Sequence, residues 1–112
     1  MTRVALLAFI ALAACGGRGA DVPRGMTLAS GPIADACLSA GRENASQTLC
    51  RCVQGVADAE LSRRDQSRAA AFFSDPQRAQ DTRQSDNPAL EAFWDRYRDF
   101  ADEAERTCRP VA

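Results

Sequence analysis

Four cysteines constrain this chain more than any other feature. Cys37 stands alone, Cys50 and Cys52 are separated by one residue, and Cys108 lies close to the end. A domain of roughly 80 residues gains only a few kcal/mol from its hydrophobic core. A disulfide adds about 2–4 kcal/mol, mainly by restricting the unfolded chain. We therefore expect a small domain that two disulfides hold together.

The first residues resemble a bacterial lipoprotein signal. Arg3 gives a positive start, residues 4–11 form an apolar run too short to span a bilayer, and Leu12-Ala13-Ala14-Cys15 ends it. These last four residues resemble the lipobox, in which two small residues precede an obligatory cysteine. The resemblance implies a signal peptide over 1–14, and a Cys15 that carries a diacylglycerol on its sulfur and an acyl chain such as palmitate on its amine. The alternative is an ordinary secretory signal in which this cysteine has no role.

The segment that follows the signal is rich in glycine and has no apolar periodicity. We expect a lipidated N-terminus and flexible tether over 15–31, and a helical domain over 32–112.

An exported chain meets oxidising conditions, in which cysteines pair. The expected location is the periplasm, with the chain anchored to the membrane through Cys15. In enterobacteria an Asp after the lipidated cysteine retains a lipoprotein in the inner membrane, so Gly16 favours the outer membrane.

Composition argues against several functions. The chain has no His and no Lys, and its formal net charge is −1. Without His there is no His-based triad or dyad, and the commonest metal ligand is missing. A net charge near zero without a basic block argues against nucleic acid as a partner. We expect no enzyme activity, no catalytic residues and no cofactor.

Apolar periodicity predicts an all-α fold, a bundle of about four helices. The predicted helices are 32–41, 46–60, 63–73 and 88–107, with a short polar piece over 76–84. The residues expected to start or cap them are Pro32, Ser46, Ser62, Asp75 and Asn87. Gly41 should end the first helix. The last helix carries the strongest apolar stripe, and in it we expect Trp94 and two phenylalanines to be buried.

Helix geometry bears on how the cysteines pair. Cys50 and Cys52 lie about 200° apart around their helix, so they suit two different neighbours better than each other. In a hairpin of the first two helices, Cys37 lies level with Cys50. We therefore favour Cys37–Cys50 and Cys52–Cys108, with the swapped pairing as the alternative.

A second hypothesis gives Cys50 and Cys52 a thiol redox or metal role. Zinc sites, however, more often use two pairs of ligands, with two to four residues between the members of each pair.

A tripeptide motif and a segment of mixed charge also bear on function. Ser85-Asp86-Asn87 matches a tripeptide of serine β-lactamases, but those enzymes also need a lysine, so a helix cap is the better interpretation. Mixed arginines and aspartates occupy the middle of the chain. They form either a solvated face with intrahelical ion pairs or a surface that binds a carboxylate or a partner. The residues are Arg63, Arg64, Arg68, Arg78, Arg83, Asp65, Asp75, Asp81 and Asp86.

Several short runs of the chain resemble those of one protein family. The runs are Gly31-Pro32-Ile33, Cys37, Cys50-Arg51-Cys52-Val53-Gln54, Phe72-Phe73-Ser74-Asp75-Pro76, Arg83-Gln84-Ser85-Asp86, Phe93-Trp94, Tyr97 and Cys108. The family they resemble consists of small cysteine-containing lipoproteins from alphaproteobacteria of the Rhodobacter group. Members of that family often carry the label "arginine transporter". The resemblance implies at most a lipid-anchored accessory or solute-binding piece, and arginine binding would need an acidic pocket.

Three functional hypotheses remain. The first is a non-enzymatic, lipid-anchored domain that binds another envelope component, most simply a protein, and an exposed apolar patch would favour it. The second is an accessory in amino-acid (arginine) transport, which a concave acidic pocket would favour. The third is a redox or metal-handling protein, which exposed, reduced thiols at Cys50 and Cys52 would favour.

Overall fold

The computed structural model describes residues 26–41 and 45–112, and this part of the chain contains helices but no β-strand. Five α-helices follow one another before a terminal 3-10 turn: α1 Pro32–Ser39, α2 Gln47–Glu60, α3 Arg63–Ser74, α4 Pro76–Arg83, α5 Pro88–Cys108 and the turn Arg109–Val111. The prediction of a small, disulfide-stapled all-α bundle is confirmed. The short polar piece expected over 76–84 is a helix in its own right.

Three helices begin at the predicted caps. The hydroxyl groups of Ser46 and Ser62 each accept a hydrogen bond from the backbone N–H three residues later, at 3.0 and 3.1 Å. The side-chain oxygen of Asn87 accepts two bonds from the first turn of α5, at 2.9 and 3.3 Å. Each cap satisfies N–H groups that have no partner within their own helix. The Ser-Asp-Asn tripeptide thus contains the cap of α5.

The end of the first helix and the cap of the fourth differ from the prediction. α1 ends at Ser39, and Gly41 follows with a φ of 62°, a left-handed conformation that glycine adopts without steric cost. Asp75 forms no side-chain cap for α4. Its carboxylate instead lies 3.5 Å from the guanidinium of Arg78 in an exposed ion pair.

The core forms where α2 packs against α1 and α5, while α3 packs against α1 and α5. Its buried apolar residues are Ile33, Cys52, Val56, Ala57, Leu61, Ala69, Phe72, Phe93, Phe100, Ala104 and Cys108. Phe93 and Phe100 are buried as expected, at 1% and 3% exposure. Trp94 is only half-buried. Its ring lines a cavity between α5 and the neighbouring helix α4, which has no buried residue of its own.

The last residues of the predicted tether, 26–31, pack against the helices. Met26 and Leu28 contact the core, and the N–H of Ala29 donates to the carbonyl oxygen of Arg51 at 3.0 Å. The chain passes so close to α2 that a Cβ at Gly55 would clash with the Thr27 carbonyl oxygen. Residues 26–31 therefore lie against the helices, ahead of the domain start expected at Pro32. Signal peptide 1–14, Cys15 and the rest of the tether lie outside the described residues.

Among the described helices, none has the length and apolar character that crossing a membrane requires.

Candidate functional site

The four cysteines of the described region form two disulfides that meet on α2. Cys37 of α1 bonds Cys50, and Cys52 bonds Cys108 at the end of α5, with Cα atoms 5.6 and 5.8 Å apart. These are the pairs that helix geometry favours. Because the two α2 cysteines point in different directions around the helix, α2 is joined to α1 on one side and to α5 on the other.

The disulfides are shielded from solvent. Cys50 and Cys52 are 0% exposed, and Cys37 and Cys108 are also buried. In this state none of the four sulfurs is a thiolate, the form that attacks a disulfide or binds a soft metal. The described residues also contain no group of three or more His, Cys, Asp or Glu side chains placed to hold a metal ion.

A buried amide of α2 caps α1. The side-chain oxygen of Gln54 accepts hydrogen bonds from the N–H groups of Ile33 and Ala34, at 2.7 and 3.0 Å. Gln54 is 0% exposed. Gly31 permits this approach, because a Cβ there would lie 2.7 Å from the Gln54 side-chain carbon. The sequence pattern assigns Gln54 no role, although this residue lies one helical turn after Cys50 and therefore faces α1.

The same amide continues into a network with α3. The Gln54 nitrogen donates to Asp58 and to the side-chain oxygen of Gln66, both at 2.8 Å. Gln66 in turn donates to Asp58 and to the carbonyl oxygens of Ala57 and Leu61. Every buried side-chain polar atom of the described residues has a hydrogen-bond partner. A satisfied network of this kind fixes how α1, α2 and α3 pack, and leaves no buried side-chain polar group of the described residues unpaired.

A second link joins α3 to α5. The guanidinium of Arg96 donates to both carboxylate oxygens of Asp65, at 2.6 and 3.1 Å. The Asp65 side chain is 8% exposed and that of Arg96 is 49% exposed. The hydrogen bond to Asp65 raises the pKa of Arg96. Asp65 lies three residues after the cap Ser62, where an acidic side chain often accepts a hydrogen bond from the backbone N–H of the cap residue. Here its carboxylate binds Arg96 of α5 instead.

Two cavities flank α4, and arginines line both. The first, about 270 Å³, lies between α3, α4 and α5, and Arg68, Arg78 and Asp81 line it beside the Phe72 and Phe93 rings. The Arg68 guanidinium lies 5.6 Å from the centre of the Phe93 ring. The second, about 430 Å³, lies between α4 and α5. Its lining residues are Ala79, Gln80, Arg83, Trp94 and Arg98. Of the arginines predicted for a polar surface, Arg68, Arg78 and Arg83 therefore line cavities.

A small acidic cavity of about 180 Å³ lies near the N-terminal segment. Glu60 and Glu103 line it together with Thr27 and Thr107. The carboxylate of Glu103 already accepts hydrogen bonds from Arg106 and Thr107, at 2.7 and 3.2 Å. These bonds, chiefly that from Arg106, lower the pKa of Glu103. The Glu103 carboxylate is therefore already hydrogen-bonded to side chains of α5.

A shallow apolar groove of about 450 Å³ follows the contact between α2 and α5. Leu49, Val53, Ala101, Ala104 and Cys108 line it, with Glu105 and Arg109 at its edge. Leu49, Val53 and Ala101 are half-buried, so their apolar surface stays accessible. The groove is the closest counterpart in the described structure to the apolar patch expected of a protein-binding domain.

No protein-family model, curated protein or solved structure matches this chain.

Proposed function

We propose that this chain is a lipid-anchored binding module of the bacterial cell envelope, without catalytic activity of its own. The lipid is attached at Cys15, the helical domain lies in the periplasm, and the outer membrane is the expected membrane. The domain binds another envelope component, most simply a protein. A thiol redox or metal role for Cys50 and Cys52 is the weakest alternative, because both sulfurs are buried in disulfides.

The main support for this proposal is that four cysteines form disulfides and the fifth lies in a sequence that resembles a lipobox. Four of the five cysteines pair within the domain, and such disulfides persist in oxidising compartments outside the cytosol. The fifth, Cys15, has no cysteine of its own chain left to pair with. It stands where a lipobox places the lipidated residue. The resemblance at Cys15 and the disulfides of the domain thus both support export.

Metabolic labelling with palmitate tests the anchor. The wild-type chain should incorporate label and sediment with membranes. Cys15→Ser should lose the label and leave the membrane fraction. The matched control is the double variant Cys37→Ser/Cys50→Ser, which removes two cysteines but should keep the label. Label retained in Cys15→Ser, or absent from the wild type, would overturn the proposal.

The choice of membrane has its own test. Gly16→Asp should move the chain from outer-membrane to inner-membrane fractions of a density gradient in an enterobacterial host. Gly17→Asp places the same charge one residue later and serves as the control. An unchanged distribution for Gly16→Asp would contradict the assignment to the outer membrane.

The apolar groove between α2 and α5 supports a protein partner. A photo-crosslinking residue at Val53, which lines the groove, should give one discrete adduct in intact cells. The same residue at Gln77, exposed on α4, should not give that adduct. Identical adducts from both positions would argue against the groove as the contact surface.

An accessory role in arginine transport is the second candidate, and the cavity with Glu60 and Glu103 is the observation that favours it. Titration of L-arginine followed by calorimetry tests it. A saturable heat that Glu60→Gln abolishes would support this role. Absence of heat with L-arginine would leave the binding module as the better account.

A further inference from the structure

The cavity between α4 and α5 differs from the other cavities described above in its charge. Arg83 of α4 and Arg98 of α5 both line it, and no acidic residue does. The neighbouring cavity contains its own carboxylate, Asp81, beside Arg78. An anion in a cavity that two guanidinium groups line is attracted by both of them.

Neither of these two arginines has a carboxylate partner in the part of the chain that the structure describes. Within the described residues, Arg78, Arg96, Arg106 and Arg109 each pair with a carboxylate, whereas Arg83 and Arg98, like Arg51, Arg63, Arg64 and Arg68, form no salt bridge. What sets Arg83 and Arg98 apart is that both line one cavity without an acidic residue. Asp95, Asp99 and Asp102 lie near Arg98 in sequence, yet none of them lines the cavity. The planar guanidinium fork is suited to bind a carboxylate through two parallel hydrogen bonds.

The uncharged lining residues supply a flat apolar surface and an amide. Trp94 is half-buried, and Tyr97 holds its position from one side, with ring centres 5.2 Å apart and planes 33° apart. Ala79 is a small residue that lines the cavity together with Trp94. Gln80 offers both a donor and an acceptor, as hydroxyl groups require. A volume of about 430 Å³ is within the range of small-molecule sites.

We propose that this cavity binds an acidic saccharide, a sugar ring that carries a carboxylate. Arg83 and Arg98 bind the carboxylate, the apolar face of the ring lies on Trp94, and Gln80 hydrogen-bonds a hydroxyl group. The inference rests on the proposed function, because it assigns a ligand class to a binding module of the envelope. Binding at this cavity does not involve Cys15, so the two proposals fail in different experiments.

Fluorescence of Trp94, the only tryptophan of the chain, provides the test. The full chain is purified in detergent and titrated with glucuronic acid, and with glucose as the neutral counterpart. Glucuronic acid should change the emission in a saturable way, and glucose should not do so over the same concentrations. Arg83→Gln and Arg98→Gln should each weaken binding about tenfold or more, the loss expected for a hydrogen bond between charged groups.

Arg64→Gln is the matched control, because Arg64 is an exposed arginine that lines none of the cavities described above. It should bind glucuronic acid as the wild type does. Equal weakening in Arg64→Gln would overturn the proposal by showing a general charge effect. Equal responses to glucose, or acetate and inorganic phosphate binding as tightly as glucuronic acid, would overturn the saccharide assignment. Normal palmitate labelling in the same preparation would show that such a failure concerns the ligand and not the anchor.

Discussion

The side-chain oxygen of Gln54 lies 2.7 Å from the backbone nitrogen of Ile33. It also accepts a hydrogen bond from Ala34, so a residue of α2 caps the first turn of α1. α1 has no side-chain cap of its own. Because the Gln54 nitrogen also donates to Gln66 of α3, one amide group joins three helices near the point where the N-terminal segment enters the domain.

We expect Gln54→Leu to destabilise the domain by roughly 3 kcal/mol, because it leaves two N–H groups of α1 and the Gln66 oxygen buried without partners. Urea unfolding followed by circular dichroism measures the change in the free energy of unfolding. Gln77→Leu removes an exposed amide that bonds Asp81 on α4 and should cost less than about 0.5 kcal/mol. Equal stabilities for the two variants would contradict a structural role for Gln54.

Much of the fold follows from local signals, since most helices start at a proline or at a capping residue that the sequence displays. Pro32, Ser62 and Asn87 are examples, and each marks its helix without reference to the rest of the chain. Helix geometry likewise favours the observed cysteine pairs, because Cys50 and Cys52 must face different neighbours. This inference about the cysteine pairs requires only the number of residues per helical turn.

The rest of the site depends on how the helices pack. Gln54 is a polar residue of α2, and its burial follows only once α1 and α3 lie against it. The cavity with Arg83 and Arg98 requires α4 to lie across α5, yet α4 buries no residue and carries no apolar stripe. Met26 and Leu28 belong to a segment without periodicity, so their packing could not be read from the sequence.

Non-reduced peptide mapping should recover the pairs Cys37–Cys50 and Cys52–Cys108. We also expect unequal contributions to stability, because the bonds close chain segments with sequence separations of 13 and 56 residues. Cys52→Ala/Cys108→Ala should lose about 1 kcal/mol more than Cys37→Ala/Cys50→Ala, since stabilisation rises with the logarithm of loop length. Urea unfolding of both double variants measures the difference. Peptides that join Cys37 to Cys52 would refute the pairing.

Arg96→Met should destabilise the domain more than the loss of an exposed ion pair does, since it leaves the buried carboxylate of Asp65 without its bidentate partner. The half-exposed position of Arg96 lets water reach the carboxylate, which keeps the loss below that of a fully buried pair. Arg109→Met breaks an exposed pair with Glu105 and should cost under about 0.5 kcal/mol. A double-mutant cycle with Asp65→Ala that gave no coupling would show that this contact does not stabilise the bundle.

Gly55→Ala should release the N-terminal segment from α2, because the added methyl group would collide with the carbonyl oxygen of Thr27. The readout is hydrogen exchange at the amide of Ala29, which donates to Arg51 and should be protected in the wild type. Gly41→Ala is the control. It should cost about 1 kcal/mol through its left-handed backbone yet leave that amide protected. If the Ala29 amide exchanged freely in the wild type, the domain would begin at Pro32 and 26–31 would be part of the tether.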